Sequence, residues 1–388
     1  MPHVSPGDPN DLVASTREAF TAAYAAPAAV VGHAPGRVNL IGEHTDYNGG
    51  LCLPVALPHR TYVAAAARSD GRLRIASRQQ SDAWEGSLDD VAPGAVPGWA
   101  AYAAGVPWAL RESGVDVPGA DLLVDSTVPL GAGLSSSAAI ECAVAMAVTA
   151  LAGAEVTPEV RDALVAACMR AETEIAGAPT GGMDQTVSML AEPGAALLID
   201  FTAGSSRPVF LGPTAPDVLV MDTGVSHSLN DGGYASRRRD CEEAARLLGL
   251  PTLRAATEPD VAALPDARLA RRARHVVTEI ARVTEAVAAI EAAEWPDLGR
   301  LFLASHASLR DDFEVSCPEL DLAVEAAMAA GALGARMTGG GFGGSAIALV
   351  DPGDRERIAA EVDRAFTGAG WTPPTTLVAT PSGPATTA

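Results

Sequence analysis

Pro129-Leu130-Gly131-Ala132-Gly133-Leu134-Ser135-Ser136-Ser137-Ala138-Ala139 lies between an apolar strand pattern, Leu122–Pro129, and a long small-residue helical pattern with Ile140, Val144, Met146 and Val148 among its apolar positions. Its glycines let the backbone turn tightly and approach a ligand, with their amides directed inward. The helix opening at the serines adds the positive end of its dipole, a ready place for phosphate, and a serine hydroxyl there can ligate Mg²⁺. A glycine-rich turn with a serine cap is common and says little alone. Strand, loop, three serines and helix in one run point to a phosphate cradle. It is not of the Walker kind: the chain has no lysine, and no H-R-D or D-F-G pattern of a protein kinase occurs.

Upstream, Gly36-Arg37-Val38-Asn39-Leu40-Ile41-Gly42-Glu43-His44-Thr45-Asp46-Tyr47-Asn48-Gly49-Gly50 gathers polar side chains between Glu43 and Asn48. A solvated surface loop is the plain reading. Against it, the apolar stretch Val38–Ile41 runs into the cluster and Leu51–Leu57 leaves it, which carries the polar groups to the rim of a core. Carboxylates such as Glu43 and Asp46 can accept from the hydroxyls of a small polyol there.

Downstream, Thr338-Gly339-Gly340-Gly341-Phe342-Gly343-Gly344-Ser345 precedes the strand pattern Ala346–Val350. So many glycines cost chain entropy, and tight apolar flanks speak against a loose linker and for close backbone approach to a ligand. Between these motifs, Ala171-Glu172-Thr173-Glu174 ends a helical pattern that starts at Thr157-Pro158. Thr180-Gly181-Gly182-Met183-Asp184-Gln185 follows, where Asp184 is a candidate base. Phosphoryl transfer to a hydroxyl needs one acid to orient or deprotonate the acceptor and another for Mg²⁺. The arginines Arg237-Arg238-Arg239, near His227 and Tyr234, read as a solvated helix face.

The wider pattern predicts an α+β fold of two lobes. Strands are expected at Tyr62–Arg68, Arg72–Arg78 and Leu122–Pro129, helices follow, and strands at Val218–Val225 and Ser345–Val350 then alternate with helices around Ala235–Leu248, Arg271–Ala293 and Leu320–Ala330. The lobe boundary is placed near 181–194, giving an N-terminal domain over 1–185 and a C-terminal domain over 186–388. The Pro/Thr-rich tail after Trp371 reads as low complexity.

Composition limits the partners. With 48 acidic against 27 basic side chains the net charge is −21, so nucleic acid is not an expected partner, and an anionic ligand must be held by amides, a metal or a few arginines. No run of about 18 apolar residues is present to span a membrane, and Met1–Asn10 does not read as a secretory signal. Five scattered cysteines without a C-x-x-C pair fit a reducing compartment, hence the cytoplasm. A monomer or weak homo-oligomer is expected.

Together, in this order and at these separations, the motifs resemble those of the GHMP family of small-molecule kinases. G-R-V-N-L-I-G-E-H-T-D-Y-N-G-G looks like the hallmark of members that phosphorylate galactose, P-L-G-A-G-L-S-S-S-A-A like the phosphate-binding motif, and M-T-G-G-G-F-G-G-S like the third motif. The resemblance implies transfer of the γ-phosphoryl group of ATP to the 1-hydroxyl of galactose, with the active site between the lobes. Arg37, Glu43, His44 and Asp46 would line the sugar site with Gly181, Asp184 and Tyr234, and Asp184 would be the catalytic base beside Arg37. Gly131, Ala132, Gly133, Leu134, Ser135, Ser136 and Ser137 would wrap the phosphates, and Ser137 and Glu172 match the Mg²⁺ positions. The chain departs from the pattern at Ser226, where many bacterial members carry a basic residue, leaving a phosphate contact to His227 or Arg238. A kinase for another sugar, such as N-acetylgalactosamine, and a sugar sensor without catalysis share these motifs. Intact Ser135–Ala139 and Asp184 favour the enzyme.

Overall fold

The computed structural model describes residues 1–225 and 232–388. Ser226 and His227 lie outside the described residues. The strands are β1 (Val30–Asn39), β2 (Leu51–Cys52), β3 (Pro54–Arg68), β4 (Arg72–Ser77), β5 (Trp84–Ser87), β6 (Gly119–Ser126), β7 (Ala195–Asp200), β8 (Ser205–Phe210), β9 (Asp217–Asp222), β10 (Gly334–Thr338), β11 (Ser345–Val350), β12 (Thr375–Val378) and β13 (Thr386–Thr387). Among the described residues they form three sheets, ordered β13-β1-β3-β6-β4-β5, β10-β11-β9-β12 and β2-β7-β8. The first carries one lobe and the second the other. The small third sheet lies between them, because β2 leaves the polyol-type motif and pairs with β7.

The helix Ser136–Leu151 lies directly on the first sheet. Its alanines make that approach possible, and so does Gly32: a Cβ there would sit 2.3 Å from the Ala143 carbonyl oxygen. The register of β1 on β3 shifts between Pro35 and Arg37, a bulge that bends the strand and re-aims the next side chain. At Gly36 a Cβ would meet the Leu134 carbonyl oxygen at 2.7 Å, so only glycine lets the phosphate-type loop close onto the bulge. The Arg37 amide then donates to Leu134 O at 3.1 Å. Strand, bulge and loop together set Arg37 at the cleft.

Two expectations are corrected. β3 begins at Pro54, well before Tyr62, because Pro54–Leu57 is buried on both faces and shows no alternation to read. The tail after Trp371 is not shapeless: it supplies β12 to the second sheet, and β13 then crosses back to pair with β1 of the first. The helix Pro158–Arg170 continues as a π-helical turn, Ala171–Ile175, packed on the helix Ala100–Glu112 where Gly105 leaves room for Ala171. Such turns often mark functional positions, and this one carries Glu172.

Candidate active site

Asp184 stands in the first turn of the helix Met183–Leu190, entered through Gly182 at φ 96°. Arg37 grips its carboxylate with two hydrogen bonds, Nε to Oδ1 at 2.8 Å and Nη2 to Oδ2 at 2.9 Å. A third bond from Arg37, Nη1 to Gly133 O at 2.6 Å, ties the clamp to the phosphate-type loop. Bidentate pairing of this kind fixes direction as well as charge. Ser135 adds a bond from Oγ to Asp184 Oδ2 at 2.5 Å. Its backbone is left-handed, φ 58°, which costs a non-glycine residue about 1–2 kcal/mol. The Ser135 hydroxyl thus serves Asp184, while its backbone belongs to the phosphate-type loop.

The sugar-type motif meets this clamp through Asp46 and Gly181. A Cβ on Gly181 would lie 1.9 Å from Asp46 Oδ2, so glycine closes directly over the carboxylate. Burial, with the charge of Asp184 adding to it, pushes Asp46 up to about 6. Tyr234, on the helix Gly233–Leu248, packs against Gly340 and close to the rings of His44 and Tyr47. Burial first, then the charges of Asp46 and Asp184, raise its hydroxyl well above the usual tyrosine range. Arg37, Asp46, Gly181, Asp184 and Tyr234 thus share one cleft.

Glu43 and His44 stand behind that cleft. The Glu43 side chain is 1% exposed and forms an ion pair with Arg336. Its other oxygen accepts from Gly339 N at 3.1 Å and Thr338 Oγ1 at 3.2 Å. These bonds make Glu43 an anchor for the third motif and use at most three of the four lone pairs of its carboxylate. His44 uses both ring nitrogens on protein, Nδ1 to the Tyr47 hydroxyl at 2.9 Å and Nε2 to Gly340 O at 3.2 Å. A carbonyl only accepts, so Nε2 carries the proton and Nδ1 accepts from Tyr47. Burial lowers His44 to about 3, so the ring is neutral and shapes the wall beside Tyr234.

The two glycine loops face each other. Gly131 and Gly133 have positive φ, and a Cβ at either would meet open space. Ala132 and Leu134 are buried, and Ser345 Oγ donates to Ala132 O at 2.7 Å. In the third motif a Cβ would strike the Val315 carbonyl oxygen at 2.4 Å from Gly341 and the Val225 carbonyl oxygen at 2.3 Å from Gly343. Close approach to backbone explains these glycines. Ser136 and Ser137 open the helix beside the cradle. Arg238 bonds Glu242 at 3.0 Å, and Arg237 bonds the carbonyls of Phe313 and Glu314, so neither is turned to the loop.

Ser137 stands beside Glu172, whose Oε2 accepts from Gln185 Nε2 at 2.5 Å. Burial, then the nearby Asp184, pushes Glu172 up to about 7. A buried carboxylate beside a hydroxyl, with negative charge left over, is the hard-oxygen environment that suits Mg²⁺. Among the described residues no three His, Cys, Asp or Glu side chains form a metal cluster. A magnesium ion here would draw its remaining oxygens from phosphates and water. The elevated value also carries a stability consequence. Below about pH 4.5 the native and unfolded states hold the proton alike, and the stabilisation is lost as pH rises through about 7. Glu172→Gln, which keeps an acceptor for Gln185, should therefore raise the melting temperature of the ligand-free protein at pH 8. The gain is on the order of 2–3 kcal/mol and should vanish near pH 4.5. A destabilised variant at pH 8, by calorimetry, would contradict this.

Arg336, Gln185, Glu141 and Tyr47 entered the site without a sequence reading. Arg336 had a signal: a charged residue inside the fully buried strand Gly334–Thr338.

Comparison with known proteins follows the same outline. The galactokinase galactose-binding signature matches residues 18–67, the GHMP kinases N-terminal domain 101–192, and the GHMP kinases C-terminal domain 286–368. The chain is 47% identical to a galactokinase of Streptomyces coelicolor over 94% of its own length and 96% of the relative's. It is 41% identical to a galactokinase of Bos taurus over 92% and 93%. The crystal structure of Lactococcus lactis galactokinase complexed with galactose superposes with a TM-score of 0.91 at 31% identity, covering 97% of this chain and 99% of that one. Mevalonate kinase of Methanococcus jannaschii, 17% identical, shares the fold with a TM-score of 0.67 over 91% and 98%.

Proposed function

The chain belongs to the galactokinase family of GHMP kinases, and we propose that the cleft around Asp184 is where it moves the γ-phosphoryl group of ATP onto the 1-hydroxyl of galactose. It is an ATP-dependent sugar kinase. The observation that carries the site assignment is the clamped Asp184 carboxylate opposite Asp46 and Gly181, with the phosphate-type loop bonded to the same arginine.

In this reading Asp46 accepts from the 3- and 4-hydroxyls of the sugar, Gly181 bounds its ring, and Tyr234 and His44 form the wall. Asp184 accepts the proton of the 1-hydroxyl as that oxygen attacks phosphorus in line. Arg37 holds Asp184 in place and offsets negative charge on the transferring group. Amides of Gly131–Ser137 and the end of the helix Ser136–Leu151 bind the triphosphate against an unfavourable global charge. Ser137 and Glu172 would hold Mg²⁺, which would supply neutralisation of triphosphate charge. The cleft-lining loops are assigned to an N-terminal domain over 1–185 and a C-terminal domain over 186–388, with the last strand returning to the first. Free cysteines, four of the five buried, support placement in the cytoplasm. No helix among the described residues is long and apolar enough to cross a membrane.

Sugar choice tests this reading. An equatorial 4-hydroxyl would leave Asp46 partly unpaired, a loss of about 1–3 kcal/mol or more for a charged group. Glucose should therefore show kcat/KM lower than galactose by a factor of about 10 to 100 in a coupled ADP-release assay over a hexose panel. Equal values for the two would overturn the role of Asp46. Preferred turnover of N-acetylgalactosamine would reassign the substrate, and galactose binding without turnover would mark a sensor.

A further inference from the structure

The reaction as described makes no use of Glu141 or Gln185, yet both are fully buried beside it. Gln185 follows Asp184 on the helix Met183–Leu190. Its Nε2 donates to Glu141 Oε2 at 2.9 Å and to Glu172 Oε2 at 2.5 Å. Thr180 Oγ1 donates to its Oε1 at 3.4 Å. An amide NH₂ has two protons, and here each has a carboxyl to meet. Both ends of the amide are in use.

We propose that Gln185, anchored by Glu141, is a positioning residue that sets Glu172 toward Ser137 and so prepares the magnesium position. The proposal rests on the metal role assigned to Ser137 and Glu172. Its motive is the juxtaposition of three elements at one amide. Glu141 lies four residues after Ser137, on the same side of the helix Ser136–Leu151. Glu172 lies on the π-helical turn, and Asp184 precedes Gln185 in the chain. The bridge thus ties the helix of the metal hydroxyl, the turn of the metal carboxylate and the helix of the base. A core of this kind has no need of a carboxyl for packing. Among the alanines of that helix Glu141 is costly, and its Oε1 has no partner. Serving as the fixed acceptor for Gln185 explains why it is tolerated.

The bridge predicts a selective defect. The quantity to read is the factor by which Mg²⁺ tightens ATP binding, measured by titration calorimetry with and without the metal, alongside the Kd for galactose. Gln185→Met fills the same volume without donors. It should reduce the Mg²⁺ factor by about tenfold with the galactose Kd and the metal-free ATP Kd within about twofold of the parent protein. Glu141→Leu should behave alike. Glu141→Gln presents an oxygen to Gln185 and should keep the parent factor. If Gln185→Met does not fold, Gln185→Asn keeps an amide too short to span both carboxyls and should show the same selective loss. An unchanged Mg²⁺ factor in Gln185→Met, or equal loss of galactose and metal-free ATP binding, overturns the proposal. If the parent protein itself showed no Mg²⁺ factor, the metal assignment to Ser137 and Glu172 would fail instead.

Discussion

Replacing Asp184 with Asn should lower kcat by a factor of about 10² to 10⁴ while galactose still binds. The amide matches the carboxylate in size but takes no proton. It also loses half of the clamp, because its NH₂ must face either Arg37 Nε or the pair formed by Arg37 Nη2 and Ser135 Oγ, all of them donors in the native arrangement. Two contributions then separate. Loss of a base lowers the single-turnover rate at saturating galactose. Loss of sugar positioning alone raises KM and leaves that rate unchanged. A loose phosphoryl transition state asks for little proton transfer early, which makes this split informative. A near-native single-turnover rate in Asp184→Asn would remove Asp184 from the base role. Calorimetry with galactose completes the measurement by confirming that the variant still holds the sugar.

Arg336→Met should destabilise the protein by about 3–5 kcal/mol. Arg336 is fully buried, donates to Leu40 O at 2.7 Å, pairs with Glu43, and lies 3.8 Å from Glu279. Burial pushes the Glu43 carboxyl up and Arg336 opposes it, so removing the arginine leaves a buried acid without its cation. Glu279 keeps Arg282, Ser305 and the Gly42 amide, so Glu43 bears most of the loss. Adding Glu43→Gln should recover part of the stability, since the second change removes the charge stranded by the first. Urea unfolding of the two variants reads this. A single variant within about 1 kcal/mol of the parent would mean the pair contributes little net.

The difference between Asp46 and Glu43 shows where reading a sequence stops. Both are acids in one short motif, with apolar flanks on each side. Nothing local tells which turns to the cleft. The decision is made by Arg336 and Gly339, nearly three hundred positions away, which occupy Glu43 and leave Asp46 to Gly181. Ser135 is a related case: it belongs to a phosphate-type loop by position, and its hydroxyl bonds Asp184 across the fold from a left-handed backbone. What was legible had short-range causes. The strand–loop–helix around Gly131–Ser137 and the strand Ser345–Val350 follow from glycines, serine caps and apolar runs in one window. β1 was not legible, because Pro35 and Gly36 interrupt it at the bulge that aims Arg37. The helix Pro9–Tyr24 had its signal in Asp8 and Pro9, where the Asp8 side chain accepts from the Asn10 amide at 2.8 Å. β12 and β13 draw their pairing from distant strands, so a Pro/Thr-rich tail gives no local hint of them.

Phosphorus NMR of the products formed from ATP, Mg²⁺ and galactose tests the proposed chemistry most directly, because it reports which oxygen received the phosphoryl group. The expected result is ADP and a hexose monophosphate in equal amounts, with the new phosphorus signal coupled to the anomeric proton of galactose. A phosphate ester on another hydroxyl would contradict the placement of the 1-hydroxyl at Asp184, and inorganic phosphate with unmodified sugar would contradict transfer itself.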